Sequence, residues 1–189
     1  MSLLQSARAS FERLLEAIVI ALVAALTAMI VAGFVFRYAG HSLVWYDELA
    51  SIGLVWLTYY GSALAALRGA HIGVAGLVNA MPPRARLIAT VFAELCVFVF
   101  FILLAVTGTE VLVILGDDRM VSLTWVPLRL TQSVIPVGAG LFIIAEGLRL
   151  PAVLRDARTR GFVDVEVKQA LELAHRVPAD GAKKAGDPR

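Results

Sequence analysis

Cysteine is nearly absent. Cys96 is the only one in the 189-residue chain, so no intrachain disulfide can form and no redox compartment is implied. Histidine is scarce: His41, His71 and His175 all fall in expected loops or in the C-terminal tail, whereas a membrane haem protein needs axial ligands within its helices. One cysteine and three scattered histidines assemble no metal constellation. The chain carries no glycine-rich phosphate loop and no Gly-x-Ser-x-Gly nucleophile motif. No cofactor, metal or enzymatic activity is therefore expected. The net charge of +2 is too small to suggest a nucleic-acid partner. There is no internal repeat and no pair of interrupted hydrophobic segments of the kind that builds a midplane site in carriers, which argues against a transporter acting alone. No cleavable signal peptide is expected, because the first apolar run follows Arg8, Glu12 and Arg13 and is too long for a signal core.

What is abundant is apolar surface. Hydrophobic residues make up 59% of the chain, above the roughly one half of a soluble domain. The pattern predicts an all-α integral membrane protein in which four spans (16–36, 47–68, 84–115 and 130–150) form a membrane domain over 16–150. Residues 1–15 place Leu3, Leu4, Ala7, Phe11, Leu14 and Leu15 at helical spacing, as in an amphipathic arm at the membrane interface. The same pattern fits an extension of the first span. In that span Ala17, Ala21, Ala25, Ala28 and Ala32 recur every three or four residues, a stripe that reads as a helix-packing seam. The third span is about 48 Å long against a hydrocarbon core of about 30 Å, so it must tilt or project. Residues 151–189 change to mixed charge and read as a cytoplasmic tail, partly disordered.

The rest of the chain is organised around Trp45 to Gly73. Trp45 and Tyr46 suit the headgroup belt. Asp47 and Glu48 sit in the first helical turn, where anions are favoured, and Arg68 sits in the last, where cations are. Gly69 fits a left-handed cap. Trp56, Thr58, Tyr59, Tyr60, Gly61 and Ser62 put polar groups and a glycine near mid-bilayer, and Gly61/Ala65 and Ser62/Ala66 add small residues four apart. Each residue also has a plainer role. Trp45 serves as a belt anchor, Asp47 and Glu48 as first-turn anions, and Arg68 and His71 as contacts to lipid phosphates.

Counting Lys and Arg orients the chain. Arg8 and Arg13, then Arg68, Arg84 and Arg86, then everything from Arg149 onward fall on one side, leaving only Arg37, Arg119 and Arg129 of the 17 cations for the other. By the positive-inside rule both termini face the cytoplasm. Three acids lie within spans: Glu94, Glu110 and Glu146. They admit an ion-path reading and a structural one, in which Glu94 or Glu146 pairs with Arg68.

The central pattern is Trp45, Asp47-Glu48-Leu49, Val55-Trp56-Leu57-Thr58, Gly61, Ala63, Arg68-Gly69 and His71-Ile72-x-Val74. Together with the Pro82-Pro83 turn, Trp125-Val126-Pro127 and Pro136-Val137-Gly138, it resembles the small membrane subunit of TRAP transporters, the DctQ family, over about residues 12–150. That resemblance implies a non-catalytic subunit of the bacterial or archaeal inner membrane, a fixed four-helix scaffold. Its partners would be a large, elevator-type, sodium-coupled membrane subunit (DctM-like) and a periplasmic binding protein (DctP-like) that captures a C4-dicarboxylate, sialic acid or similar organic acid. Trp45, Asp47, Glu48, Trp56, Gly61, Arg68 and His71 are the motif positions expected to contact the partners or lipid. The competing class is a small membrane anchor or regulator that uses the basic tail.

Overall fold

The computed structural model describes residues 3–69, 78–159 and 162, with side chains described from Ser6 onward. Four helices among them are long and apolar enough to cross a membrane. Helix α1 spans Leu3–Tyr38, α2 Tyr46–Arg68 and α3 Pro83–Ile114. The last crossing is a short α4, Leu128–Gln132, followed by α5, Val134–Arg158. The N-terminal residues run into the first span as one 36-residue helix, the second of the two courses the sequence left open. Arginines cluster where α1 begins and α2 ends; α3 begins and α5 ends at the same end of the molecule. His71, most of the 72–81 connection and the tail beyond residue 162, His175 included, lie outside the described residues.

The long helices stand side by side in the order α1, α2, α5, α3. Each packs on its neighbour, and among the described residues no more than marginal contact joins the others. The assembly is an open row with α1 and α3 at its edges. Such a row leaves wide apolar faces uncovered, including Leu14, Val31 and Phe34 on α1 and Val99, Phe100 and Leu103 on α3. In water that surface would drive aggregation; in a bilayer it is the surface lipid or a partner covers.

Glycine sets how closely the helices approach. A Cβ on Gly138 would lie 2.7 Å from the Tyr59 side chain, and one on Gly108 would lie 2.9 Å from Ile135 and 3.2 Å from the Pro136 nitrogen. Between α1 and α2, Leu26 fills the space above Gly53 and Tyr46 that above Gly33. The buried line of α1 is accordingly Leu15, Leu26 and Gly33, with half-buried Val19, Leu22 and Met29 between them at the same three-and-four spacing. The alanine stripe lies on another face: Ala17, Ala21, Ala25 and Ala28 are exposed and Ala32 is half-buried. Large knobs over glycine holes bury more apolar area than alanine against alanine, so the leucine line turns inward. The core itself gathers around Leu15, Ala63, Leu64, Ala66, Leu67, Phe142 and Ala145. Phe101 stacks on Phe142 at 3.6 Å between ring centroids. On α2 it is thus Ala63 and Ala66 that are buried, while a Cβ on Gly61 would meet nothing within 4 Å.

The fourth crossing departs from the expected 130–150. It breaks at Ser133, where Pro136 in the first turn of α5 removes the donor that would bond the carbonyl four residues back. It then continues through Pro151 to Arg158. An internal proline costs about 3 kcal/mol in a helix. Burial of Val153 and Ala157, and a clamp from α3 described below, offset that cost.

Candidate functional site

Among the described residues no side chain stands out as catalytic, and the polar contacts concentrate at the two ends of the row and at one point between. At the end where α2 and α5 finish, arginines serve helix C-termini, whose last carbonyls lack intrahelical donors. Arg8 Nη2 donates to the Leu67 carbonyl at 2.9 Å. Gly69, at φ 70°, caps α2 with its N–H aimed at the Ala65 and Ala66 carbonyls. Arg86, buried near the start of α3, donates from Nε to the Ala157 carbonyl at 2.7 Å and from Nη2 to Thr159 at 3.4 Å. Asn79 and the backbone of Phe162 exchange two hydrogen bonds, Nδ2 donating at 2.7 Å and Oδ1 accepting at 2.8 Å.

The same end holds the ion pairs. Arg68 binds Glu12 at 2.9 Å and Glu16 at 3.1 Å, bridging α2 to α1. These acids of α1 are its partners in place of the anticipated Glu94 or Glu146: α3, which carries Glu94, does not pack on α2, and Glu146 is paired with Arg149 of its own helix. Glu146, 3% exposed, pairs with Arg149 at 3.0 Å one turn along its own helix. Glu110 is exposed and Glu94 half-buried.

At the opposite end Glu48 clamps the loop between α3 and α4. Its Oε2 accepts from the Ser122 N–H at 2.9 Å and from the Ser122 hydroxyl, and Oε1 accepts from the Val121 N–H at 3.3 Å. Replacing Glu48 by Ala removes every one of these acceptors. The expected outcome is faster hydrogen exchange at the Val121 and Ser122 amides, which then have no carboxylate acceptor. The adjacent Asp47→Ala, exposed, is expected to leave those amides unchanged.

Between the ends, Trp56 Nε1 donates to the Thr131 carbonyl at 2.9 Å, beside the break at Ser133. In hydrocarbon a carbonyl without a donor is costly, so this bond makes the kink tolerable. Trp56 also lines, with Tyr60, Ile18, Ala21, Leu22 and Ala25, an open groove of about 410 Å³ between α1 and α2. Two alanines of the stripe, Ala21 and Ala25, therefore rim an outward-facing groove.

The motif positions are distributed along α2 rather than gathered into one site. Glu48 and Arg68 bind loop and helix, Trp56 binds the kink, and Trp45 and Asp47 are exposed. Arg8, Asn79, Arg86 and Thr131 escaped the sequence reading. Arg86 carried one usable signal, a cation in a first turn where the dipole disfavours it, which calls for an acceptor elsewhere.

Four apolar crossings in an open row, with polar side chains spent on helix ends and loops, define a multi-pass membrane protein built to stand against other surfaces. Residues 26–156, well over half of the chain, match the family described as Tripartite ATP-independent periplasmic transporters, DctQ component, and the chain belongs to that family. It is thus the small membrane component of a TRAP transporter, a transport protein and not an enzyme. No curated protein matches it. The match begins within the first span and ends at Asp156, past the proline at which the sequence reading closed the last one.

Proposed function

We propose that this chain is the fixed scaffold of a sodium-driven importer of organic acids such as C4-dicarboxylates or sialic acid. It braces a large elevator-type subunit and helps a periplasmic binding protein to dock. Both termini lie in the cytoplasm, an orientation supported by the concentration of arginine at that end. The observation that carries the reading is the outward alanine stripe Ala17–Ala21–Ala25–Ala28 beside the Trp56–Tyr60 groove, in a chain of this family. Small exposed residues let a neighbouring helix approach closely, and the groove receives its larger side chains. The open row supplies a broad, stiff wall against which a partner's mobile part slides.

The test is copurification of the tagged chain from gently solubilised native membranes, with and without Ala21→Leu/Ala25→Leu. The native chain is expected to bring down a large polytopic protein in near-equal amount. The double variant is expected to keep its own thermal stability while losing that protein and substrate uptake. A native chain that purifies alone, or a variant that retains partner and uptake, overturns the reading.

A further inference from the structure

The loop between α3 and α4 is tied down at several points yet turns two apolar side chains, Val121 and Trp125, outward. Glu48 fixes Val121 and Ser122. The Met120 N–H bonds the Val126 carbonyl at 3.1 Å, Val126 N–H the Leu123 carbonyl at 2.9 Å, and Leu128 N–H the Asp118 carbonyl at 2.8 Å. Arg119 and Pro127 form an antiparallel bridge, and the Met120 side chain is buried beneath. Between these ties Val121 is 91% exposed and Trp125 74% exposed. A loop so constrained had internal room for Met120, so the outward course of Val121 and Trp125 is built in.

Depth decides what covers them. Glu48 lies three residues after Trp45, about 4.5 Å along α2, and it grips Ser122 directly. The loop therefore sits level with the first turn of α2, where the apolar run of that helix begins at Leu49 and where tryptophan and tyrosine mark the headgroup layer. The patch also continues the exposed apolar surface of α3, whose last residues Val113 and Ile114 are largely exposed. A soluble protein would have to enter the headgroup layer to reach it.

We propose that Val121 and Trp125 insert into the phospholipid headgroup layer and anchor the far end of α3 to the membrane surface. Helix α3 has 32 residues, about 48 Å, so it exceeds the hydrocarbon thickness by more than half. Arg86 ties its near end to α5, and the loop anchor ties its far end to lipid, which fixes its tilt. The anchor requires only that the chain spans the membrane and is independent of the scaffold reading.

The experiment compares tryptophan emission of the full chain and its Trp125→Phe variant in phosphatidylcholine vesicles, so that the difference isolates Trp125. Trp125→Phe alters an exposed side chain and leaves the fold intact. The difference emission is expected to be blue-shifted and quenched about twofold more by lipid brominated near the headgroup than by lipid brominated near the chain end, with little quenching by aqueous iodide. Val121→Asp is expected to weaken the lipid quenching. Water-like emission quenched by iodide overturns the anchor, as does deepest quenching near the chain end. Lipid quenching that vanishes when the copurified partner is included also overturns it and assigns the patch to protein.

Discussion

Replacing Gly138 by leucine is expected to abolish the folded membrane domain, while the same change at Gly61 leaves it standing. Both glycines lie in apolar stretches, and a sequence pattern gives Gly61 the stronger claim as a packing position. The structure reverses the order. A Cβ at Gly138 would sit 2.7 Å from Tyr59, among the atoms nearest the helix backbone, and Tyr59 has no room to withdraw because its own helix is locked to α5 by Ala63, Ala66 and Phe142. A Cβ at Gly61 would meet nothing from a neighbouring helix within 4 Å. Overpacking a well-filled interface costs about 1–3 kcal/mol, more when backbone must move. The α2–α5 contact is the middle joint of the row, so opening it separates α1 and α2 from α3 and α5. Gly108→Leu, at the α3–α5 joint against the Pro136 backbone, is expected to act in the same direction. Thermal stability of the detergent-solubilised variants checks all three. Equal loss at Gly61 and Gly138 would show that a partner, not the chain's own row, sets the contacts of these glycines.

That reversal marks the limit of what was legible. The existence of four crossings was plain, because long apolar runs with charged ends report themselves whatever they pack against. Local chemistry was legible for the same reason: Gly69 caps α2 and Pro83 opens α3, each decided by its own backbone preferences. Facing was not legible. In a soluble helix the polar side identifies the outside, but α1 beyond Glu16 is apolar all round as far as Phe36, so its leucine line and its alanine stripe have the same period and equal claims. Contacts across helices choose between them: Leu26 over Gly53 of α2, and Tyr46 of α2 over Gly33. Long-range polar partners were hidden likewise. Arg68 finds Glu12 and Glu16, and Glu48 finds Ser122, over separations that no local pattern encodes. Pro151 misled in the opposite sense, since a residue that ends most helices is here carried by tertiary contacts on either side of it.

Those contacts make the strongest case for Arg86. It occupies the first turns of α3, where the positive end of its own helix dipole disfavours it, and lies beside the C-terminus of antiparallel α5, where carbonyls lack donors. Its 2.7 Å bond to the Ala157 carbonyl holds the C-terminal end of α5, the segment that continues past Pro151. Arg86→Met keeps the length and removes the donors, leaving the Ala157 and Thr159 carbonyls without them. The expected loss is about 3 kcal/mol, from buried hydrogen bonds to a charged group worth about 1.5–3 kcal/mol each. It should be local before it is global: amides over 151–159 exchange faster, and trypsin cuts at Arg155 and Arg158 in folded protein. Arg86→Lys, able to reach one carbonyl but not to fork to two, is expected to fall between. Arg84→Ala supplies the control, because Arg84 is exposed two residues away and carries the same charge at the same helix start. If the arginines at the start of α3 acted only through lipid phosphates and membrane orientation, Arg84→Ala and Arg86→Met would weaken the protein alike. A protease pattern changed by Arg86→Met alone assigns the residue to the helix end it touches.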